Sequence, residues 1–243
     1  MTFRYLLWLI LAGLVLLLPG ATAAAERGPS VVQLRQAVVQ NPEDPEANYK
    51  LGMKYLEMGR SQQAAKYLKE AVRLKPDYPE ALEGLARLNR GQGNYGSSAQ
   101  DLGKLLQLQP KNQELSDRVS NAYNQQGLAL LKEGNLKEAE AAFKEATKAD
   151  PKAIGPLSNL GVAYFRAGRP AEAAAAFREA ATRDPNNAEV RFNLGLTFVA
   201  TGNMVAAYAV SRDLWRLDPE LAGQLNALSR PPRTPYPYAP PAK

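Results

Sequence analysis

The sequence predicts an all-α chain built as a solenoid of stacked helix-turn-helix units, and three observations in its 243 residues predict it. Proline stands at Pro42, Pro76, Pro110, Pro151, Pro185 and Pro219, so successive prolines are 34, 34, 41, 34 and 34 residues apart. Glycine keeps the same interval at Gly59, Gly93, Gly134, Gly168 and Gly202, with gaps of 34, 41, 34 and 34. Between these marks apolar residues step by three and four, as in Leu157, Leu160, Ala163 and Tyr164, then Ala173, Ala176, Phe177 and Ala180. That spacing draws one apolar stripe along a helix. A left-handed glycine closes a helix, and a proline cannot continue one. Each unit therefore reads helix, tight turn, helix, stop.

Composition bounds the function before any site is chosen. With 45% hydrophobic and 22% charged residues the chain has enough apolar material for a sizeable core. It has no Cys and no His, which removes disulfides, thiol nucleophiles, imidazole bases and nitrogen- or sulfur-ligated zinc. No Ser is followed by Lys at the S-x-x-K spacing. The net charge of +6 is spread along the chain without a basic block, so no nucleic-acid footprint is indicated. No catalytic residue, metal or cofactor is expected.

The elements follow in order. Residues 1–23 read as a signal peptide: Arg4 precedes a run from Tyr5 to Leu18 that is apolar apart from one Tyr hydroxyl, and the breakers Pro19 and Gly20 follow it. The run fits a secretory core of about 7–15 residues better than a membrane span of about 20. Ala21-Thr22-Ala23 supplies the small residues of a cleavage site, and Ala23-Ala24-Ala25 would serve as well. Export to a bacterial periplasm is the expectation, with a retained N-terminal membrane anchor as the alternative. Residues 24–44 form a leading half-repeat through Val31, Leu34, Ala37 and Val38, and repeats follow at 45–78, 79–112, 113–153, 154–187 and 188–221. The gap of 41 exceeds the period by seven residues, close to two helical turns or about 10.5 Å, which lengthens a helix without rotating its stripe. The first helix of repeat three is thus extended, starting near Asn112, with Leu115, Val119 and Ala122 continuing the stripe. A closing helix spans 222–229. Residues 230–243 hold six prolines, which exclude helix and sheet and favour polyproline II or disorder, with Tyr236 and Tyr238 exposed.

Small residues recur on first helices at Gly52, Ala86, Gly127, Gly161 and Gly195, and on second helices at Ala64, Ser98, Ala139, Ala173 and Ala207. They let the two axes of a unit approach while larger neighbours fill the gap. With these in place, Leu157, Leu160-Gly161, Tyr164, Ala173, Phe177, Ala180 and Pro185 resemble the tetratricopeptide repeat at every position of its pattern. Tyr123, Gly127, Leu130, Ala139, Phe143, Ala146 and Pro151 follow it with Gln126 in place of Leu, and the first repeat has Leu51-Gly52, Tyr55, Ala64, Leu68, Ala71 and Pro76. Repeats two and five depart, with Asn89 for Tyr, Ser98 for Ala and Ser211 for Phe.

The resemblance implies a right-handed superhelical solenoid whose first helices line a concave face that holds extended or helical peptides. Projecting the period onto that face selects Tyr49, Lys50 and Met53, then Arg87 and Arg90, then Asn124, Gln125 and Lys132. Ser158, Asn159, Arg166, Phe192 and Asn193 complete it. Asparagine offers a peptide backbone a donor and an acceptor, and Arg or Lys attracts carboxylates. The resemblance adds that Asn159 and Asn193 occupy a place where some members hold a ligand's main chain. The full set that clamps a C-terminal carboxylate in chaperone-binding members is absent.

Two other patterns carry sharper chemistry. Gly91-Gln92-Gly93-Asn94-Tyr95-Gly96 matches the dinucleotide fingerprint, which works only after a strand. A helical pattern precedes it here, so it reads as the turn inside repeat two. Glu138, Glu140, Glu145, Glu172 and Glu179 alternate with Lys and Arg and read as solvated pairs on second helices. A glycan hydrolase using carboxylates alone would need two acids about 5–9.5 Å apart in a pocket. The expectation is an exported scaffold or assembly factor of the cell envelope whose partners are other proteins or peptides. Nucleic acid is no partner, and a membrane is one only through the N-terminal run.

Overall fold

The computed structural model describes residues 28–229; the leader expected at 1–23 and the proline-rich tail expected at 230–243 lie outside the described residues. Among these, all regular structure is helical, in twelve α-helices. The described residues divide into two compact units, the first ending at Pro76 and the second beginning at Asp77.

The first unit holds α1 (Val31–Gln40), α2 (Pro45–Glu57) and α3 (Ser61–Leu74). Ser30 caps α1: its hydroxyl accepts from the Gln33 amide, and the Gln33 side chain accepts from the Ser30 amide. Asp44 caps α2, and Pro45 occupies the first turn, where a missing N–H costs nothing. The axes of α2 and α3 approach closely at Gly52, where a Cβ would lie 2.8 Å from Leu68 Cγ and 2.9 Å from the Leu68 nitrogen. Tyr55 and Tyr67 stack at 5.7 Å alongside. Asn48 is buried, and its amide donates to the carbonyls of Pro42 and Asp44 at 2.9 Å each, tying down the turn before α2.

The second unit continues with α4 (Pro79–Gly91), α5 (Tyr95–Leu108), α6 (Gln113–Glu133), α7 (Leu136–Ala149), α8 (Ile154–Arg166) and α9 (Pro170–Arg183). It ends with α10 (Ala188–Ala200), α11 (Met204–Leu214) and α12 (Pro219–Ser229). Helices pair as α4 with α5, α6 with α7, α8 with α9 and α10 with α11, and each second helix packs on the next first helix. The periodic glycines make the tight turns of both units: Gly59, Gly93, Gly134, Gly168 and Gly202 have φ between 70° and 84°, where a side chain is strained. Gly93 lies in the turn between α4 and α5, so the glycine-rich stretch follows a helix and not a strand. The core runs through the fully buried Phe143 and Phe177. Each ring presses on the small residue of its first helix, with a Cβ on Gly127 falling 2.5 Å from Phe143 and one on Gly161 falling 2.8 Å from Phe177.

Where the sequence departs from the repeat pattern, the structure substitutes other contacts. Asn89 donates to Asp101 at 2.8 Å, and the buried Ser98 hydroxyl donates to the Ala86 carbonyl at 2.9 Å, so α4 and α5 are joined by hydrogen bonds at two points. Ser211 leaves no ring to press on Gly195. Leu225 of α12 takes that space, and a Cβ on Gly195 would collide with it. Pro219, read from the period as a stop, instead opens α12. Asp218 accepts from the amides of Glu220 and Leu221 at 3.0 Å each, and proline at the first helical position needs no acceptor. The closing helix accordingly begins at Pro219 rather than at 222.

The extended α6 has 21 residues and starts at the N-cap Asn112, which accepts from the Leu115 amide at 3.1 Å. Leu115, Val119 and Ala122 pack with Ala86, Ala99, Leu102 and Leu105, so the extra turns lie against α4 and α5. On the second helices, Glu140, Glu145, Glu172 and Glu179 are matched by cations, while among the described residues Glu138 has no ion pair. Glu140 meets Lys144 at 2.7 Å and Arg169 at 2.5 Å, Glu179 meets Arg183 at 2.5 Å, and Glu172 meets Arg169. Burial pushes the Glu140 carboxyl up, but hydrogen bonds from Lys144 and Arg169 outweigh it and hold the group below the usual carboxylate range. The Arg169 guanidinium also lies 4.5 Å over the Tyr164 ring, so one side chain joins α7, α8 and α9. Among the described residues no helix is long and apolar enough to cross a membrane.

Candidate functional site

In the first unit, Tyr49, Lys50 and Met53 of α2 line a recess with Pro29, Leu34, Lys54 and Glu57, about 330 Å³ in volume. Lys50 is bound to Glu46 of its own helix at 2.6 Å, and that hydrogen bond raises its ammonium above the ordinary lysine value. The pair is exposed and adds little to stability.

In the second unit the first helices α4, α6, α8 and α10 meet at three junctions, and each has its own chemistry. Between α4 and α6 lies a recess of about 130 Å³ lined by Arg87, Arg90, Arg118, Asn121 and Gln125 together with the small Ala86, Ser98 and Ala122. Arg118 reaches across to Glu83 at 2.5 Å. Arg87 and Arg90 are exposed, and no carboxylate of the described residues pairs with either. Two uncompensated guanidinium groups beside one recess make a positive local potential.

The junction of α6 and α8 is closed by side chains bonding to each other. Asn159 donates to Asn124 at 2.8 Å, and Arg166 donates to the Leu131 carbonyl at 3.3 Å, near the negative end of the α6 dipole. Ser158 is half-buried at this junction, and Lys132 is exposed at the end of α6. Asn124, Asn159 and Arg166 are thereby brought together as a brace between neighbouring helices.

Between α8 and α10 the character changes again. Val162, Phe165, Phe177 and Leu196 make an apolar recess of about 190 Å³, with Asn193, Thr197 and Arg166 at its edge. Phe165 is 39% exposed, so its ring is available to a ligand. Phe192 is placed elsewhere: it packs on Leu214, Ala222 and Leu225 against the closing helix.

The periodic projection missed Arg118 because it lies in the extra turns of α6, where no other repeat has a helical counterpart, and it passed over Asn121, which aligns with Glu46, Glu80, Gly155 and Glu189. The seven-residue excess was the signal that pointed to Arg118. The projection also passed over Val162, Phe165 and Leu196, which line the apolar recess.

A family model described as tetratricopeptide repeat matches residues 49–113 and 158–220, and a second of the same description matches 130–176. Among solved structures, YrrB, "a TPR protein with an unusual peptide-binding site", shares 18% identity with a TM-score of 0.50, covering 82% of this chain and 100% of that one. MamA shares 18% identity with a TM-score of 0.49, covering 74% and 94%. A thermophilic TPR protein of Thermus thermophilus shares 21% identity with a TM-score of 0.39, covering 76% and 98%. At these identities the likeness extends to the fold. No curated protein matches the sequence.

Proposed function

Because this chain belongs to the tetratricopeptide repeat family, we propose that it is a scaffold that holds an extended segment of another protein along the first helices of its second unit. The observation that carries this reading is the pair of preformed recesses on those helices, one bordered by unpaired Arg87 and Arg90 and one by the exposed ring of Phe165. A wall that already exists loses little entropy on binding, so the ordering cost falls on the ligand. Binding is favoured over hydrolysis because the α4–α6 recess contains a single carboxylate, Glu83, and Arg118 already engages it. Selection of random twelve-residue peptides against residues 24–243 is expected to enrich sequences that lose binding when Arg87→Glu and Phe165→Ala are combined, with helicity unchanged. Enrichment indifferent to both substitutions would overturn the reading.

On the same reading the scaffold works in the bacterial envelope, as an assembly or biogenesis factor. Its support is the apolar run from Tyr5 to Leu18 followed by Ala21-Thr22-Ala23. Retained, that run would make a membrane-tethered adaptor of the same scaffold. Mass spectrometry of the mature protein is expected to find Ala24 at the N-terminus; a terminus at Met1 or Thr2 would overturn cleavage.

A further inference from the structure

We propose that the two extra turns of α6 give the binding face an acid-selective end, so that the segment it holds carries a carboxylate side chain and a large apolar side chain about six residues apart. This rests on the reading of the first helices as a peptide-holding face and names the chemistry that the face selects.

Two positions on each first helix carry the argument. The period aligns Arg87 and Arg90 of repeat two with Met53 and Leu56, Leu128 and Leu131, Val162 and Phe165, and Leu196 and Val199 in the others. Four repeats put apolar side chains at both positions, and repeat two puts guanidinium groups at both. The extension of α6 then changes what those arginines face. Without it the helix would begin near Ser120; with it, Arg118 stands on the helix and crosses to Glu83 on α4, beside Asn121 at the recess. Glu83, the one acid in the recess, is held by Arg118 and leaves Arg87 and Arg90 without an internal counterion. Further along the same face, Phe165 and Leu196 border an apolar recess at the aligned positions.

The ligand must therefore satisfy cations at one end and an apolar recess at the other. Between them the Asn124–Asn159 and Arg166–Leu131 bonds already occupy those side chains, so the two ends are the anchors. The recesses are two first-helix spacings apart. At about 8–10 Å between packed helices this is about 20 Å, which about six residues of extended chain span at roughly 3.3 Å each.

The test uses fluorescent peptides with one Asp and one Phe three, six or nine residues apart in a Gly/Ser chain, with anisotropy measured on residues 24–243. The six-residue spacing is expected to bind about tenfold to a hundredfold more tightly than peptides lacking either anchor, as one charge-assisted pair contributes. Arg87→Glu with Arg90→Glu is expected to erase the gain from Asp and leave the gain from Phe, and Phe165→Ala to do the reverse. Added salt weakens only the Asp contribution. Equal affinity for all spacings, or for Asp and Asn peptides alike, would overturn this inference while leaving a peptide-holding face intact. No binding by any peptide would overturn the reading of the face itself, and this inference with it.

Discussion

Phe143→Ala is expected to lower the stability of the second unit by about 3–5 kcal/mol, the cost of emptying a fully buried aromatic site. The ring presses on Gly127 of α6, and it belongs to the same buried cluster as Leu157 and Leu160 of α8. Neither helix can close the hole alone. Repeat arrays owe their stability to neighbour interfaces, so the loss reaches beyond repeat three. Urea unfolding followed by circular dichroism checks it, with an unchanged midpoint as the contrary result. Phe143→Leu is expected to cost less than about 1.5 kcal/mol, because Leu68 and Leu102 fill the aligned site in repeats one and two.

Leu225→Ala is the second large effect, at about 2–5 kcal/mol for a fully buried leucine. Leu225 takes the space against Gly195 that Phe143 and Phe177 take against their own glycines, and it packs with Leu214 and Ala222. Its removal is expected to loosen α10, α11 and α12 ahead of the rest. With residues 1–23 gone, Trp215 between α11 and α12 is the only tryptophan and reports that end directly. Its fluorescence is expected to change at lower urea than the helical signal. Superposed transitions would show that Leu225 does not hold the end closed. Ser211→Leu added to Leu225→Ala restores part of the loss if the two sites share one space.

The period made the helices legible because glycine and proline act through their own backbone chemistry. A left-handed turn at Gly168 or a break at Pro185 does not depend on distant residues. The chemistry of the face was legible only in part, and particular residues show why. Arg87 and Arg90 were found because an exposed position is set by helical phase. Asn159 and Arg166 were found too, yet their hydrogen bonds go to Asn124 and to the Leu131 carbonyl, partners one repeat away that phase does not select. The period selects Phe192 for the binding face and passes over Phe165. The closing helix covers one and leaves the other open.

By itself the sequence determined the all-α class, the helix-turn-helix unit and the lengthening of α6, all of which follow from local backbone preference and apolar spacing repeated in register. Only the tertiary structure decided that Arg118 engages Glu83 and leaves Arg87 and Arg90 without that carboxylate, and that Leu225 fills the place left by Ser211. Each of these depends on which side chains neighbouring elements bring to one shared space, and packing between elements settles that.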